Sequence, residues 1–76
     1  MKYPNKILDV RTDKDVYQED LAFAAGVSQQ MISLYEKGES LPNVIVAELI
    51  ANYLGTTARH LYDESIKAYI AEIGSK

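Results

Sequence analysis

Cysteine and tryptophan are both absent from this 76-residue chain, and histidine occurs once, at His60. Without cysteine there is neither a disulfide framework nor a thiolate metal site. A metal site built on His60 would need carboxylates at ligand spacing, and none accompany it. Glycine is sparse: Gly26, Gly38, Gly55 and Gly74 stand at least 12 positions apart, so there is no glycine-rich phosphate cradle. Nothing orders Ser, His and Asp into a nucleophile–base pair. Glu19 and Asp20 are adjacent and would point in different directions on a helix. These absences argue against an enzyme, and no metal or cofactor is expected. The longest uncharged run, Leu21–Tyr35, has 15 residues and includes two Gln and two Ser. It is too short and too polar to cross a bilayer, so no membrane partner is expected. The opening Met1-Lys2-Tyr3-Pro4-Asn5-Lys6 has no apolar leader core. A cytoplasmic location is the expectation. Surplus positive charge is also missing. The formal net charge is −3, which argues mildly against nonspecific nucleic-acid binding.

What is present is enough for one small domain. Hydrophobic residues are 47% and charged residues 25% of the chain, too apolar for disorder. A chain of this length buries only about 60% of its unfolded surface, which leaves no room for an interdomain cleft.

The periodicities predict helices throughout. The first segment runs from about Asn5, an expected N-cap, to Lys14, and carries Ile7, Leu8 and Val10. The second runs from Gln18 to Ala25, with Gly26 as its stop. The third opens at Ser28, carries Ile32 and Tyr35 at i, i+3, and closes at Gly38. The fourth runs from Pro42 or Asn43 to Leu54. Val44-Ile45-Val46 alone would suggest a strand, but Val46, Leu49, Ile50, Tyr53 and Leu54 keep helical spacing. Thr57 can cap a fifth turn through about Tyr62. A sixth segment, Asp63–Ile73, places Ile66, Tyr69, Ile70 and Ile73 on one narrow stripe.

The segment Gln18–Lys37, QEDLAFAAGVSQQMISLYEK, meets the demands of two short helices crossing at a tight turn. Ala22 supplies the small residue at the crossing. Gly26 supplies a residue comfortable at positive φ. Val27 plugs the corner from inside, and Ile32 and Tyr35 turn inward. Ser28, Gln29, Gln30 and Ser33 then face outward. The bland alternative is a plain helical hairpin with Gly26 as a C-cap only. It explains the glycine but not the whole string.

With these residues in hand, the chain resembles the phage-repressor/Cro (Xre-type) helix-turn-helix family from about Ile7 to Tyr62. The anchors are Arg11, Gln18-Glu19-Asp20-Leu21-Ala22, Ala25-Gly26-Val27-Ser28-Gln29-Gln30, Ile32, Glu36-Lys37-Gly38, Pro42, Ala51, Leu54-Gly55 and Leu61. The resemblance implies an all-α fold: a compact five-helix repressor-like bundle with a helix-turn-helix, here extended by an additional C-terminal helix. The implied organisation is an N-terminal arm at 1–4, a DNA-binding domain at 5–62 and a C-terminal amphipathic helix at 63–76. The implied function is sequence-specific binding of double-stranded DNA by a homodimer on a palindromic operator, as a transcriptional repressor. No effector or protease domain is expected.

Site roles follow from the same resemblance. Gln18 donates to a phosphate and braces Gln29. Gln29 and Gln30 read bases, since a Gln amide can pair with adenine N6 and N7. Ser28 and Ser33 flank them. Asn43, Lys37 and Lys14 are candidate phosphate contacts. Taken outside the motif, Gln29 and Gln30 would read simply as a solvated polar face. Arg11 and Glu36 are implied to form an ion pair between the first and third helices, which removes Arg11 from the DNA contacts. Val44, Ala47, Ile50, Ala51 and Leu54 are the implied core face of the fourth helix.

The chain departs from the family pattern at several points. Asp15 stands where Gly is frequent, and Tyr17 where a Ser or Thr N-cap is usual. Phe23 and Ala24 replace positions that are commonly charged. Phe23 is either exposed or covered by the arm through Tyr3. From Gln18 to Asn43, Glu19, Asp20, Glu36 and Glu39 face a single cation, Lys37. That is poor for counterion release, so monomer affinity should be weak and dimerisation important. Ile45, Leu49 and Tyr53 form a second apolar stripe on the fourth helix, joined by Val46. The Ile66/Tyr69/Ile70/Ile73 stripe is its natural partner, either folded back within the chain or packed across a two-fold axis; the two-fold arrangement is the reading adopted. The rival function is an antitoxin-like or regulatory module that docks a protein partner through Phe23 or the Ile45/Leu49/Tyr53 surface.

Overall fold

The helix starts are set by short polar side chains. Ser28 Oγ accepts from Met31 N at 3.2 Å, Asn43 Oδ1 from Val46 N at 2.9 Å, and Thr57 Oγ1 from His60 N at 3.1 Å. Each satisfies one of the amides that a helix leaves unpaired at its first turn. A computed structural model describes residues 2–65 of the chain. The helices are α1 (Ile7–Asp13), α2 (Gln18–Ala25), α3 (Gln29–Glu36), α4 (Val44–Tyr53) and α5 (Ala58–Leu61). No strand occurs among the described residues, and the chain turns helical again at 63–65. The predicted contacts of Ile66, Tyr69, Ile70 and Ile73 lie outside the described residues. No described helix is long and apolar enough to cross a membrane.

One start differs from expectation. Asn5 does not occupy the N-cap of α1; Lys6 does, and it contributes no side-chain cap. Asn5 instead accepts from Ile7 N at 3.0 Å and donates through Nδ2 to Tyr3 O and, at 2.7 Å, to Tyr35 O. One amide therefore stitches the N-terminal segment to the last turn of α3. Tyr17 sits at the N-cap of α2 with no side-chain hydrogen bond, as its bulk predicts. Asp15 takes φ 56°, the left-handed conformation expected of a residue replacing Gly there.

The turn between α2 and α3 rests on Gly26, at φ 69°. In that conformation Gly26 N donates to Phe23 O and Val27 N reaches back to Ala22 O at 3.0 Å. This closure satisfies the last carbonyls of α2 and reverses the chain in one residue. Val27 then packs against the core, which places α3 across α2.

The core collects between one and three side chains from every helix. Ile7, Leu21, Ile32, Ile50, Leu54 and Leu61 are fully buried. α2 packs on both α3 and α4, α1 on α3, and α5 on α4. On α4, Ala47, Ile50, Ala51 and Leu54 face inward as implied, but Val44 does not: it is 72% exposed. Val44 is the first residue of α4, and side chains lean toward the helix N-terminus. The apolar stripe thus runs off the end of the bundle there. Val46, assigned to the outer stripe, packs against the core instead.

Tyr62 is buried, and its hydroxyl finds no hydrogen-bond partner among the described residues. Burial, with Tyr35 adding to it, pushes the phenol pKa upward, so the ring stays neutral. Tyr62→Phe is expected to leave the unfolding free energy within about 1 kcal/mol of the parent in a urea melt, because no bond is lost. A loss of about 2 kcal/mol or more would show that the hydroxyl is paired.

Candidate nucleic-acid interface

The site is built outward from a buried ion pair. Arg11 leaves α1 and Glu36 ends α3; their side chains are 13% and 5% exposed. Arg11 Nε donates to Glu36 Oε2 at 2.5 Å, Nη2 to Oε1 at 3.4 Å, and Nη1 to Val16 O at 2.8 Å. The guanidinium is therefore held by both the carboxylate and the loop before α2, and it is spent structurally, as the resemblance implied.

Glu36 also accepts from Gln18 Nε2, at 2.8 Å. Gln18 Oε1 in turn accepts from Gln29 Nε2 at 3.4 Å. The expected brace between Gln18 and Gln29 is thus present, but one donor of Gln18 points into the protein rather than toward a phosphate. That second task of Gln18 is absent from the sequence reading. One signal could have found it: a buried carboxylate has about four acceptor sites, more than one Arg fills.

Around this chain of bonds lie the remaining polar residues. Gln29 and Gln30 are exposed on the first turn of α3, and Ser28 caps that turn. Ser33, half-buried, follows on the next turn. Asn43 spends its oxygen on the α4 cap and keeps its amide N–H groups as donors. Lys37 is exposed at the opposite end of α3 from Gln29, about 12 Å away along a helix of this length. Lys14 is not brought to the glutamines by any contact. A Cβ built on Gly55 would lie 3.0 Å from Lys14 Nζ. This places the ammonium at the C-terminal end of α4, where it complements the helix dipole, while Asn43 marks the other end.

With Glu36 neutralised by Arg11, the exposed charge from 18 to 43 is Glu19, Asp20 and Glu39 against Lys37. Among the exposed apolar residues, which include Leu8, Tyr17 and Leu41, two features stand out. Phe23 is 91% exposed, so the arm does not cover it; the Tyr3 amide is tied to Gly38 O instead. On α4, Ile45, Leu49 and Tyr53 are exposed together, and Val44, Ile45, Glu48, Leu49 and Asn52 line a shallow groove there. Away from these features, Lys6 Nζ pairs with Asp63 at 2.7 Å. That hydrogen bond holds the Asp63 carboxyl below the usual carboxylate range.

Comparison with known proteins agrees with this geometry. A helix-turn-helix family profile matches residues 7–61. The transcriptional repressor RstR of the cryptic phage CTXphi, from Vibrio cholerae, is 32% identical over 63 residues. That alignment covers 83% of this chain and 57% of the repressor, so the chain spans little more than half of its relative's length. The profile begins with the first residue of α1 and ends with the last of α5: the whole bundle, and not only its turn, belongs to the phage-repressor/Cro (Xre-type) helix-turn-helix family.

Proposed function

We propose that this protein is a transcriptional regulator that binds a specific sequence in double-stranded DNA, and that it represses as a homodimer on a palindromic operator. The observation that carries this reading is the outward pair Gln29 and Gln30 on the opening turn of α3, capped by Ser28 and braced by Gln18. A helix entering the major groove by its N-terminal turn brings such side chains to base edges. An amide then offers adenine one donor and one acceptor at once. Ser28, Ser33, the second N–H of Gln18, Asn43 and Lys37 are the candidates for phosphate contact, which sets register rather than sequence. Repression is the role of the Vibrio cholerae phage relative, and occupying an operator is sufficient for it.

The acidic surroundings weaken the phosphate component, so two half-sites must be held together. The exposed Ile45/Leu49/Tyr53 face supplies apolar surface for a second copy, with the recognition helices about one DNA turn, roughly 34 Å, apart.

Selection of bound duplexes from a random pool tests both halves of the proposal. A palindromic consensus is expected, bound in a mobility shift by the parent. The double substitution Gln29→Ala, Gln30→Ala is expected to abolish the specific shift while the thermal melt stays within a few degrees, because both residues are exposed. A single unrepeated half-site would remove the homodimer. A double variant that shifts the selected DNA like the parent would remove base reading by these residues.

A further inference from the structure

Within the DNA-binding reading above, and resting on it, the hydrogen bonds behind α3 say which base Gln29 prefers. A carboxylate can only accept. Glu36 Oε1 therefore obliges Gln18 to present its amide nitrogen inward, at 2.8 Å. The Gln18 carbonyl is left facing away from the carboxylate, and it accepts from Gln29 Nε2 at 3.4 Å. Ordinarily the two ends of an amide are interchangeable by a simple flip. Here a fixed charge at one end of the chain of bonds orients both amides. Gln29 is left with its carbonyl oxygen as acceptor and one remaining N–H as donor.

That combination discriminates. Adenine shows the major groove an N6 donor beside the N7 acceptor, whereas guanine shows two acceptors, O6 and N7. Guanine would ask Gln29 for two outward donors, and one is already committed to Gln18. We infer that Glu36, buried and out of reach of any duplex, is a positioning residue that sets the preference of Gln29 for adenine over guanine by passing hydrogen-bond polarity through Gln18. Arg11 holds the carboxylate in place through Nε and Nη2. The outer link, at 3.4 Å, is the weakest; a duplex laid over it excludes water and strengthens it.

The test uses the full chain and duplexes carrying the selected half-site, with each base permuted at the position whose preference Gln29→Ala abolishes. Binding is measured at low salt, where a lost phosphate contact does not obscure the ratio. The parent is expected to prefer adenine over guanine there by about tenfold or more. Gln18→Leu removes the middle link while leaving the Arg11–Glu36 pair intact, and the ratio is expected to fall to about two- or threefold. Glu36→Gln reverses the polarity. Its new carbonyl stays with Arg11 and its new amide turns to Gln18, both downstream amides flip, and the preference moves toward guanine. Should Glu36→Gln lose its helical circular dichroism, Gln18→Leu decides alone. Folded variants that keep the parent ratio overturn the relay and leave the DNA reading standing, as does a parent that prefers guanine at this position. A parent that prefers no base anywhere overturns the DNA reading, and the relay with it.

Discussion

Arg11→Ala is expected to lower the unfolding free energy by about 3–5 kcal/mol. The whole stability of a domain this size is roughly 4–11 kcal/mol, so the variant should be close to unfolded at ambient temperature. The reason lies in what is left behind. Glu36 would keep a carboxylate 5% exposed, with the Gln18 amide as its one remaining side-chain donor, and Val16 O would lose the Nη1 bond. Desolvating a charge without its partner is the expensive part, not the loss of attraction. The same logic predicts that Arg11→Met combined with Glu36→Met recovers much of the loss, because an apolar pair of similar volume strands nothing. Urea melts of the single and double variants check this. A single-variant loss below about 1 kcal/mol would mean that the pair behaves as a solvated surface bridge.

Leu21→Ala should be nearly as damaging, at about 2–5 kcal/mol. Leu21 is fully buried on α2, the helix that packs against both α3 and α4. Truncating it opens a cavity at the junction of the three helices, and the rigid crossing at Ala22 prevents collapse into it. Two residues along, Phe23 is 91% exposed. Phe23→Ala is therefore the internal reference, with a change within about 0.5 kcal/mol. If the two variants melt alike, the assignment of the inner face of α2 is wrong.

What could be read from the sequence was whatever depends on neighbours in the chain. Ser28, Asn43 and Thr57 announce their helices because a cap acts over three residues. Gly26 announces the turn because only backbone freedom is needed. Val44 misleads because its burial depends on where the bundle ends, not on its place in the apolar stripe. Asn5 lies one residue before the N-cap, and the bond from its Nδ2 to Tyr35 O, 30 residues away, has no local signal. The candidate site divides in the same way. Exposure of Gln29 and Gln30 follows from local spacing, and the Arg11–Glu36 pair followed from family resemblance. The attachment of Gln18 to Glu36 spans 18 positions and carries no local mark. Lys14 looks available on paper, and the fold carries it to Gly55.

The two ends of the described chain fasten to each other: Lys6 N donates to Leu61 O at 2.9 Å and Ser65 Oγ to Pro4 O at 2.6 Å. During synthesis the first helix leaves the ribosome with its counterpart still untranslated. Its packing on α3 needs only the residues through Glu36, whereas the bonds made by Lys6 and Pro4 wait for α5 and the turn after it. The last closure of the described bundle is therefore the joining of its two ends, after α1 has already met α3.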